Sequence, residues 1–272
     1  MTEQRPTIKP MVIINPSKGG VGKTQALTGA AACLGRMGIN YKALDMDLSN
    51  CAFHRLAGAE LCKARTISEI PLAAEELLVQ EMFNKKIDVL LLDTGDGSGK
   101  ELLAWMKKDD VVNLLDQHGI ETVVLHVMDS SLFCITNLIE VIETLPLARH
   151  VIVLNFGMAK TSDAEKEFRR ITEHAEFLEF AGKLPVIVMP LLEDAPELEA
   201  VGIRLCDVST SNHPIVANPI LRNRVEKWLQ RMTANVTSIV TEARSEGELS
   251  VEISAPAKKD EQRRTNLRQH GV

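Results

Sequence analysis

The sequence lacks the features that mark several large classes of protein. No apolar run approaches the ~18 residues that cross a bilayer, and residues 1–10 are polar, so we expect neither a membrane span nor a signal peptide. The cysteines form no Cys-x-x-Cys pair and no zinc spacing, which predicts reduced, mostly buried thiols; they are Cys33, Cys51, Cys62, Cys134 and Cys206. These absences predict a cytoplasmic location.

The chain also lacks an excess of positive charge. Its 31 lysines and arginines are outnumbered by 37 aspartates and glutamates, which gives a formal net charge of −6. This balance argues against a protein that coats nucleic acid with its whole surface, although it leaves room for a local basic patch. At 272 residues, with 45% hydrophobic and 25% charged, the chain suits one α/β domain plus a tail.

Strand-like and helix-like segments alternate with short connections. This pattern predicts an α/β fold with a doubly wound, mostly parallel sheet, and the continuous apolar runs at 89–92 and 151–154 are typical of strands buried on both faces. The predicted strands are 11–15, 40–45, 87–93, 121–128, 150–155 and 184–189. The predicted helices are 23–37, 72–85, 98–108, 131–145, 163–180 and 194–203.

A last long helix is predicted from near Pro219 to near Ser245. Its apolar residues recur at helical spacing and are interpreted as core packing; they are Leu221, Val225, Trp228, Leu229, Met232, Val236 and Ile239. We therefore interpret residues 1–247 as one domain. Periodicity ends after Gly247, so we expect residues 248–272 to form a disordered basic tail.

The segment Pro-Ser-Lys-Gly-Gly-Val-Gly-Lys-Thr at 16–24 carries the strongest functional signal. It lies between an apolar run and a helix-like segment, and a strand, a glycine-rich turn and a helix in that order make a phosphate-binding loop. Lys23 can reach the β- and γ-phosphates of a nucleoside triphosphate, and the Thr24 hydroxyl is placed to bind Mg²⁺. The predicted cradle is Gly19, Gly20, Val21, Gly22, Lys23, Thr24 and Gln25. The alternative is a glycine-rich turn without a ligand.

Lys18 precedes the glycines, where an ordinary phosphate-binding loop requires no cation. With this lysine, residues 18–24 read Lys-Gly-Gly-x-Gly-Lys-Thr and resemble the deviant Walker A motif of the P-loop ATPases of the ParA/MinD group. In that family the early lysine reaches across a dimer interface to ATP held by the other subunit. The resemblance spans roughly residues 10–230. It implies a P-loop NTPase fold and a Mg²⁺-dependent ATPase that forms a homodimer on ATP, with Lys18 and Lys23 in catalytic roles. A solvated loop lysine is the alternative.

Carboxylates follow two strands that are predicted to end beside this loop. Asp45 and Asp47 resemble the family's Asp-x-Asp motif, which implies that Asp47 orients the attacking water and that Asp45 lies nearer the Mg²⁺ shell. The run Val-Leu-Leu-Leu-Asp resembles a Walker B strand, which implies that Asp93 holds Mg²⁺, usually through a water. Partition ATPases usually carry prolines after this aspartate, whereas residues 95–98 here read Gly-Asp-Gly-Ser. The alternative for Asp45 and Asp47 is a pair of solvated loop aspartates.

The end of the strand at Asn155 is where we expect the base of the nucleotide to be recognised. The resembled family places an asparagine here to hydrogen-bond adenine, and the backbone near Pro190 resembles its last-strand segment beside the base. The sequence contains no Asn-Lys-x-Asp or Thr-Lys-x-Asp guanine motif. ATP is therefore favoured over GTP. The alternative is an asparagine that caps the following turn.

Three branches of the resembled family fit this chain poorly. Residues 246–272 hold too few large apolar groups for a membrane-binding helix, and Tyr41, the chain's one tyrosine, excludes a tyrosine-rich autokinase tail. An iron–sulfur reductase would need a cysteine soon after Asp93 in addition to Cys134. The resemblance that remains is to ParA-like ATPases that position or segregate a cargo, with plasmid or chromosomal DNA as the expected cargo.

A second function stays open at this point. Residues 110–119 resemble accessory proteins of conjugative plasmids such as the TraL group, which suggests an ATP-gated adaptor for a protein machine that never touches DNA. Arg224, Lys227 and Arg231 share one helix face and, with the cations of the tail, could bind DNA without sequence preference. A solvated helix face explains the same charges. In either case we expect a DNA-binding or machine-specific partner protein. We expect no binding to a membrane.

Overall fold

The computed structural model of the chain describes residues 8–95 and 97–241. The predicted tail at 248–272, the last residues of the predicted final helix and Asp96 lie outside the described residues. In the part that is described, no helix combines the length and the apolar character needed to cross a membrane.

Seven parallel strands form a single sheet in the described part of the chain; they are β1 (Met11–Asn15), β2 (Tyr41–Asp45), β3 (Glu60–Leu61), β4 (Val89–Asp93), β5 (Glu121–Met128), β6 (Arg149–Asn155) and β7 (Val186–Met189). Their order is β3-β2-β4-β1-β5-β6-β7, so β1 is central. Asn15 pairs with Asp93, and Asp93 pairs with Asp45, which brings three polar strand ends side by side. The prediction of a doubly wound parallel sheet is confirmed.

Helices cover both faces of the sheet; they are α1 (Lys23–Arg36), α2 (Ala52–Ala57), α3 (Ile70–Leu77), α4 (Ser98–Lys108), α5 (Val111–Gln117), α6 (Phe133–Thr144), α7 (Ala164–Thr172), α8 (Ala175–Ala181), α9 (Ala195–Ala200) and α10 (Pro219–Thr241). The chain continues from α3 as a π-helix, Leu78–Phe83. The predicted helix 163–180 is wrong as one element, because His174 has extended backbone angles and separates α7 from α8. The short elements β3, α2 and α5 were not predicted.

The core lies in two layers, one on each face of the sheet. Successive side chains of a strand point to opposite faces, and in β1 Met11 and Ile13 join the layer under α1 and α10, whereas Val12 and Ile14 join the layer under α3 and α4. The predicted apolar stripe of α10 is buried throughout. All five cysteines are free, but only Cys33 and Cys134 are buried, so the prediction of mostly buried thiols is wrong.

Candidate functional site

The loop at 16–22 connects β1 to α1 at the carboxyl edge of the sheet, which is where ligands bind in parallel α/β folds. It opens on a cleft of about 610 Å³. One end of the cleft is polar and includes Gly19, Gly20, Gly22, Lys23, Thr24, Gln25, Asp47 and Gly95. The other end is largely apolar and includes Met158, Leu192, Pro196, Leu198 and Ile203. The predicted cradle residues therefore lie at one site, with the exception of Val21, which is buried beneath it.

Buried side chains fix the loop from below. The Ser17 hydroxyl donates to the Leu125 carbonyl (3.3 Å) and accepts from the Val127 N–H (2.9 Å), which ties the loop to β5. The Thr94 hydroxyl donates to the Asn15 carbonyl at 2.6 Å, tying β4 to the end of β1. None of these roles was predicted, because a single serine or threonine has no characteristic spacing.

Lys23 is the first residue of α1 and is buried. Its Nζ donates to the carbonyl of Lys18 at 3.2 Å, so the ammonium group lies across the mouth of the loop. Gly22 immediately before it has φ +90°, a left-handed conformation that favours glycine. This arrangement directs a cation and the positive end of the α1 dipole toward the same point. The polar end of the cleft is thus suited to a polyphosphate.

Thr24 lines the polar end, and its partner Asp93 is buried directly beneath it. The Thr24 hydroxyl donates to Asp93 Oδ2 at 2.7 Å, and Asp93 Oδ1 finds no hydrogen-bond partner among the described residues. Burial raises the pKa of Asp93 to about 7, the carboxylates of Asp45 and Asp47 add to this effect, and the Thr24 hydrogen bond and the Lys23 charge oppose it. A buried carboxylate with an unused oxygen beside a hydroxyl is a donor pair that suits Mg²⁺.

The chain supplies no complete metal cage at this point. Over residues 8–95 and 97–241, no group of three or more histidine, cysteine, aspartate or glutamate side chains could hold a metal ion. Mg²⁺ usually keeps several waters and binds through one or two carboxylates together with substrate phosphates. The Thr24–Asp93 pair fits this mode of binding.

The two aspartates of the Asp-x-Asp segment have different surroundings. Asp45 is buried; its Oδ1 accepts from the Asp47 N–H and its Oδ2 accepts from the His54 N–H in α2, each at 2.9 Å. It does not line the cleft. Both carboxylate oxygens of Asp45 are thus engaged within the protein. Its predicted place near the Mg²⁺ shell stays a prediction.

Asp47, in contrast, lines the cleft. Its Oδ1 accepts from the Ser49 N–H (3.0 Å), the Ser49 hydroxyl (2.6 Å) and the Asn50 N–H (3.2 Å). Burial alone would raise the pKa of Asp47, but these hydrogen bonds and the Lys23 charge together lower it. A Cβ on Gly95 would come within 2.5 Å of the Asp47 carboxyl carbon, so only glycine allows this close approach. Asp47 thus lies directly against the loop that follows β4.

Lys18 points away from its own cradle. Its Nζ lies 3.8 Å from Asp129 Oδ2 and 5.8 Å from the ring centroid of Phe133, a side chain that is 76% exposed. Lys18 does not line the cleft. Its predicted action on a second subunit stays a prediction.

Asn155 and Pro190 are both engaged within the protein. The Asn155 amide donates to the Val21 carbonyl at 2.8 Å and its Oδ1 accepts from the Gly157 N–H at 3.0 Å. The second bond is the turn cap that was the alternative at this position. The Pro190 carbonyl accepts from the Trp228 indole at 2.8 Å. Neither residue lines the cleft, and their predicted contacts with the base stay predictions.

The basic face of α10 is exposed as expected, but its charges are not equivalent. Arg224 forms a two-bond ion pair with the buried carboxylate of Asp194, with the Nε to Oδ2 distance at 2.8 Å. Lys227 and Arg231 are exposed on the same face. The patch available to a phosphate backbone is therefore smaller than the sequence suggests.

Two solved structures of MinD resemble this fold. The MinC:MinD cell division protein complex of Aquifex aeolicus matches with a TM-score of 0.52 at 11% identity, covering 89% of this chain and 100% of that chain. The septum site-determining protein MinD of Pyrococcus horikoshii, complexed with Mg-ADP, matches with a TM-score of 0.50 at 14% identity, covering 85% of this chain and 96% of that chain. No protein-family model and no curated protein matches the chain. At these identities the likeness concerns the fold, and the chain has the P-loop NTPase fold that MinD has.

Proposed function

We propose that this chain is a Mg²⁺-dependent ATPase of the ParA/MinD type that dimerises on ATP and uses hydrolysis to position or segregate a cargo. The observation that carries the proposal is the loop at 16–24, which opens on the cleft with the Thr24–Asp93 pair at its base. A fold shared with MinD supports it.

Phosphate binding is assigned to the loop backbone, the N-terminus of α1 and Lys23. Thr24 and Asp93 would hold Mg²⁺, which neutralises phosphate charge and orients the oxygens when it is bound. Asp47 is assigned to the attacking water. Its lowered pKa keeps the carboxylate ionised, and the three hydrogen bonds from Ser49 and Asn50 hold Oδ1 in place while the other oxygen accepts from water. Positioning and charge neutralisation are what phosphoryl transfer needs most from a protein.

Adenine is the proposed base. The apolar end of the cleft offers a surface against which a purine ring can pack, and the chain carries no guanine motif. The MinD of P. horikoshii, which shares the fold, is complexed with Mg-ADP, which supports an adenine nucleotide.

Dimerisation is assigned to Lys18. Lys18 does not line the cleft of its own chain and is paired with Asp129, so its ammonium group is placed to meet phosphates held by another molecule. A triphosphate carries more negative charge than one carboxylate, so ATP in a facing subunit would draw Lys18 away from Asp129. The homodimer formed in this way would bury both nucleotides between the subunits.

The cargo has two candidates. DNA is the first, through the cations of α10 and of the chain beyond the described residues. The second is a protein machine for which this chain is an ATP-gated adaptor, as the similarity of residues 110–119 to TraL-type proteins suggests. The ion pair of Arg224 with Asp194 favours the second candidate, because it removes one of three cations from the DNA patch. Retention of random DNA at low salt with ATP would favour the first candidate, and its absence the second.

The direct test is phosphate release from ATP in the presence of Mg²⁺. The wild-type protein should release phosphate, and Lys18→Gln should bind ATP as a monomer but dimerise and hydrolyse poorly. Lys183→Gln, on an exposed lysine between α8 and β7, is the matched control and should behave as wild type. Normal ATP-driven dimerisation of Lys18→Gln would show that Lys18 is a solvated loop cation.

A further inference from the structure

Asn155 lies at the end of β6, directly below the phosphate loop. Its side chain is fully buried, so it cannot touch a ligand in the cleft as the chain stands. Its two hydrogen bonds use both ends of the carboxamide: Nδ2 donates to the Val21 carbonyl, and Oδ1 accepts from the Gly157 N–H. The carboxamide therefore links the loop to the end of β6.

The contact with the loop is close. A Cβ placed on Gly22 would lie 2.2 Å from Asn155 Nδ2, a distance that no side chain tolerates. Gly22 is thus required for its left-handed backbone and also for the approach of Asn155. The amide group packs directly against the loop backbone at this point.

The bond to Val21 has a consequence for phosphate binding. In a trans peptide, the carbonyl of one residue and the N–H of the next point in opposite directions. Because Asn155 binds the Val21 carbonyl, the Gly22 N–H points away from Asn155, and Gly22 is one of the residues that line the cleft. An N–H in this position is one of the donors with which a phosphate loop binds oxygen.

We propose that Asn155 is a positioning residue of the phosphate loop: it orients the Val21–Gly22 peptide toward the triphosphate and does not select the base. This inference rests on the proposed nucleotide binding and replaces the adenine contact that the family resemblance implies. Loss of Asn155 should weaken every ligand that carries the phosphates, whether or not a base is attached.

The test compares three probes, each with Mg²⁺: ATP, GTP and inorganic tripolyphosphate, titrated by calorimetry. For Asn155→Ala we expect affinity for all three to fall by the same factor, roughly tenfold or more, because one loop donor is no longer held in place. The ratio of ATP to GTP affinity should equal that of the wild type. An altered ratio with unchanged tripolyphosphate affinity would overturn the proposal.

Asn235→Ala is the matched control. Asn235 makes the same kind of bond, from Nδ2 to the Val188 carbonyl at 2.8 Å, but it joins α10 to β7 away from the loop. The Asn235→Ala variant should lose stability without losing affinity for any probe. This result would separate a positioning role in phosphate binding from a general effect on stability. Asn155→Ser, a smaller polar replacement that is too short to reach the Val21 carbonyl as the carboxamide does, is the second variant and should show the same uniform loss.

The outcomes distinguish this inference from the proposed function. A wild-type protein that binds neither ATP nor tripolyphosphate would refute the proposed function itself. A wild-type protein that binds both, with an Asn155→Ala variant of unchanged tripolyphosphate affinity, would refute only the role of Asn155. If neither Asn155 variant folds, the residue supports the whole domain and the proposal is also overturned.

Discussion

The two ends of the cleft are built in different ways. The polar end, which is the proposed phosphate end, is lined by loop glycines and by side chains such as Lys23 and Asp47. The apolar end is lined by neither of the two residues predicted to contact a base: Asn155 binds the loop, and the Pro190 carbonyl binds Trp228. The two ends therefore differ in what lines them: polar side chains line the proposed phosphate end, whereas Asn155 supports the loop from within the protein.

The largest loss of ATP affinity should come from a substitution at the proposed phosphate end. Lys23→Ala should reduce ATP affinity roughly a hundredfold or more, because charge-assisted bonds to phosphate are lost while the fold is retained. Calorimetric titration with Mg²⁺ measures this, with Lys183→Ala as the control for removing a lysine elsewhere. Wild-type affinity in Lys23→Ala would mean that the loop does not bind phosphate.

A substitution in α10 should reduce stability and leave ATP affinity nearly unchanged. Trp228→Phe should reduce the free energy of unfolding by about 1–3 kcal/mol, because the Pro190 carbonyl loses its indole partner and a buried ring becomes smaller. ATP affinity should change less than tenfold. Denaturant unfolding and the same calorimetric titration separate the two quantities. A loss of ATP affinity without a loss of stability would place Trp228 among the ligand contacts and would break the distinction between the two ends.

The smallest effect concerns the buried histidines between β5 and β6. His126 Nε2 and His150 Nδ1 are hydrogen-bonded at 2.9 Å, and His150 Nε2 donates to the Leu145 carbonyl at 3.0 Å. Burial, with the His150 charge as a smaller cause, lowers the pKa of His126 well below 6.5. The unfolded chain therefore binds a proton that the folded chain does not, and the stability due to neutral His126 is lost as the pH falls below about 6.5.

The measurement is the difference in unfolding free energy between the wild type and His126→Leu from pH 8 to pH 5.5. The advantage of the wild type should shrink with falling pH. Asp93, whose raised pKa gives the opposite slope, is common to both proteins and cancels. A difference that stays constant across this range would show that His126 keeps an ordinary pKa.

Sequence patterns predicted the long elements and missed the short ones. The six predicted strands are present near their expected positions, because continuous apolar runs mark buried parallel strands. β3 has two residues and α2 has six, which is too short for periodicity to be informative. The break at His174 between α7 and α8 is a local change of backbone angle within a helical pattern.

The site was predictable to the extent that spacing alone determines geometry. The phosphate loop meets this condition because one short segment supplies the backbone and the lysine. The surroundings of Asp45 were not predictable in this way, since its second oxygen accepts from the His54 N–H of the unpredicted α2. The hydrogen bonds of Asn155 and Arg224 could not be predicted from spacing either. Their partners, Val21 and Asp194, lie 134 and 30 residues away in the sequence.

The central claim, an ATPase that dimerises on ATP, is tested most directly by Asp47→Ala. Removing the carboxylate should leave phosphate contacts intact but slow hydrolysis, so that ATP stays bound and the dimer accumulates. Light scattering with ATP and Mg²⁺ should then give twice the monomer mass, while ADP should give the monomer. Asp109→Ala, at an exposed aspartate after α4, should hydrolyse ATP like the wild type. An Asp47→Ala protein that stays monomeric with ATP, or that hydrolyses at the wild-type rate, would contradict the account.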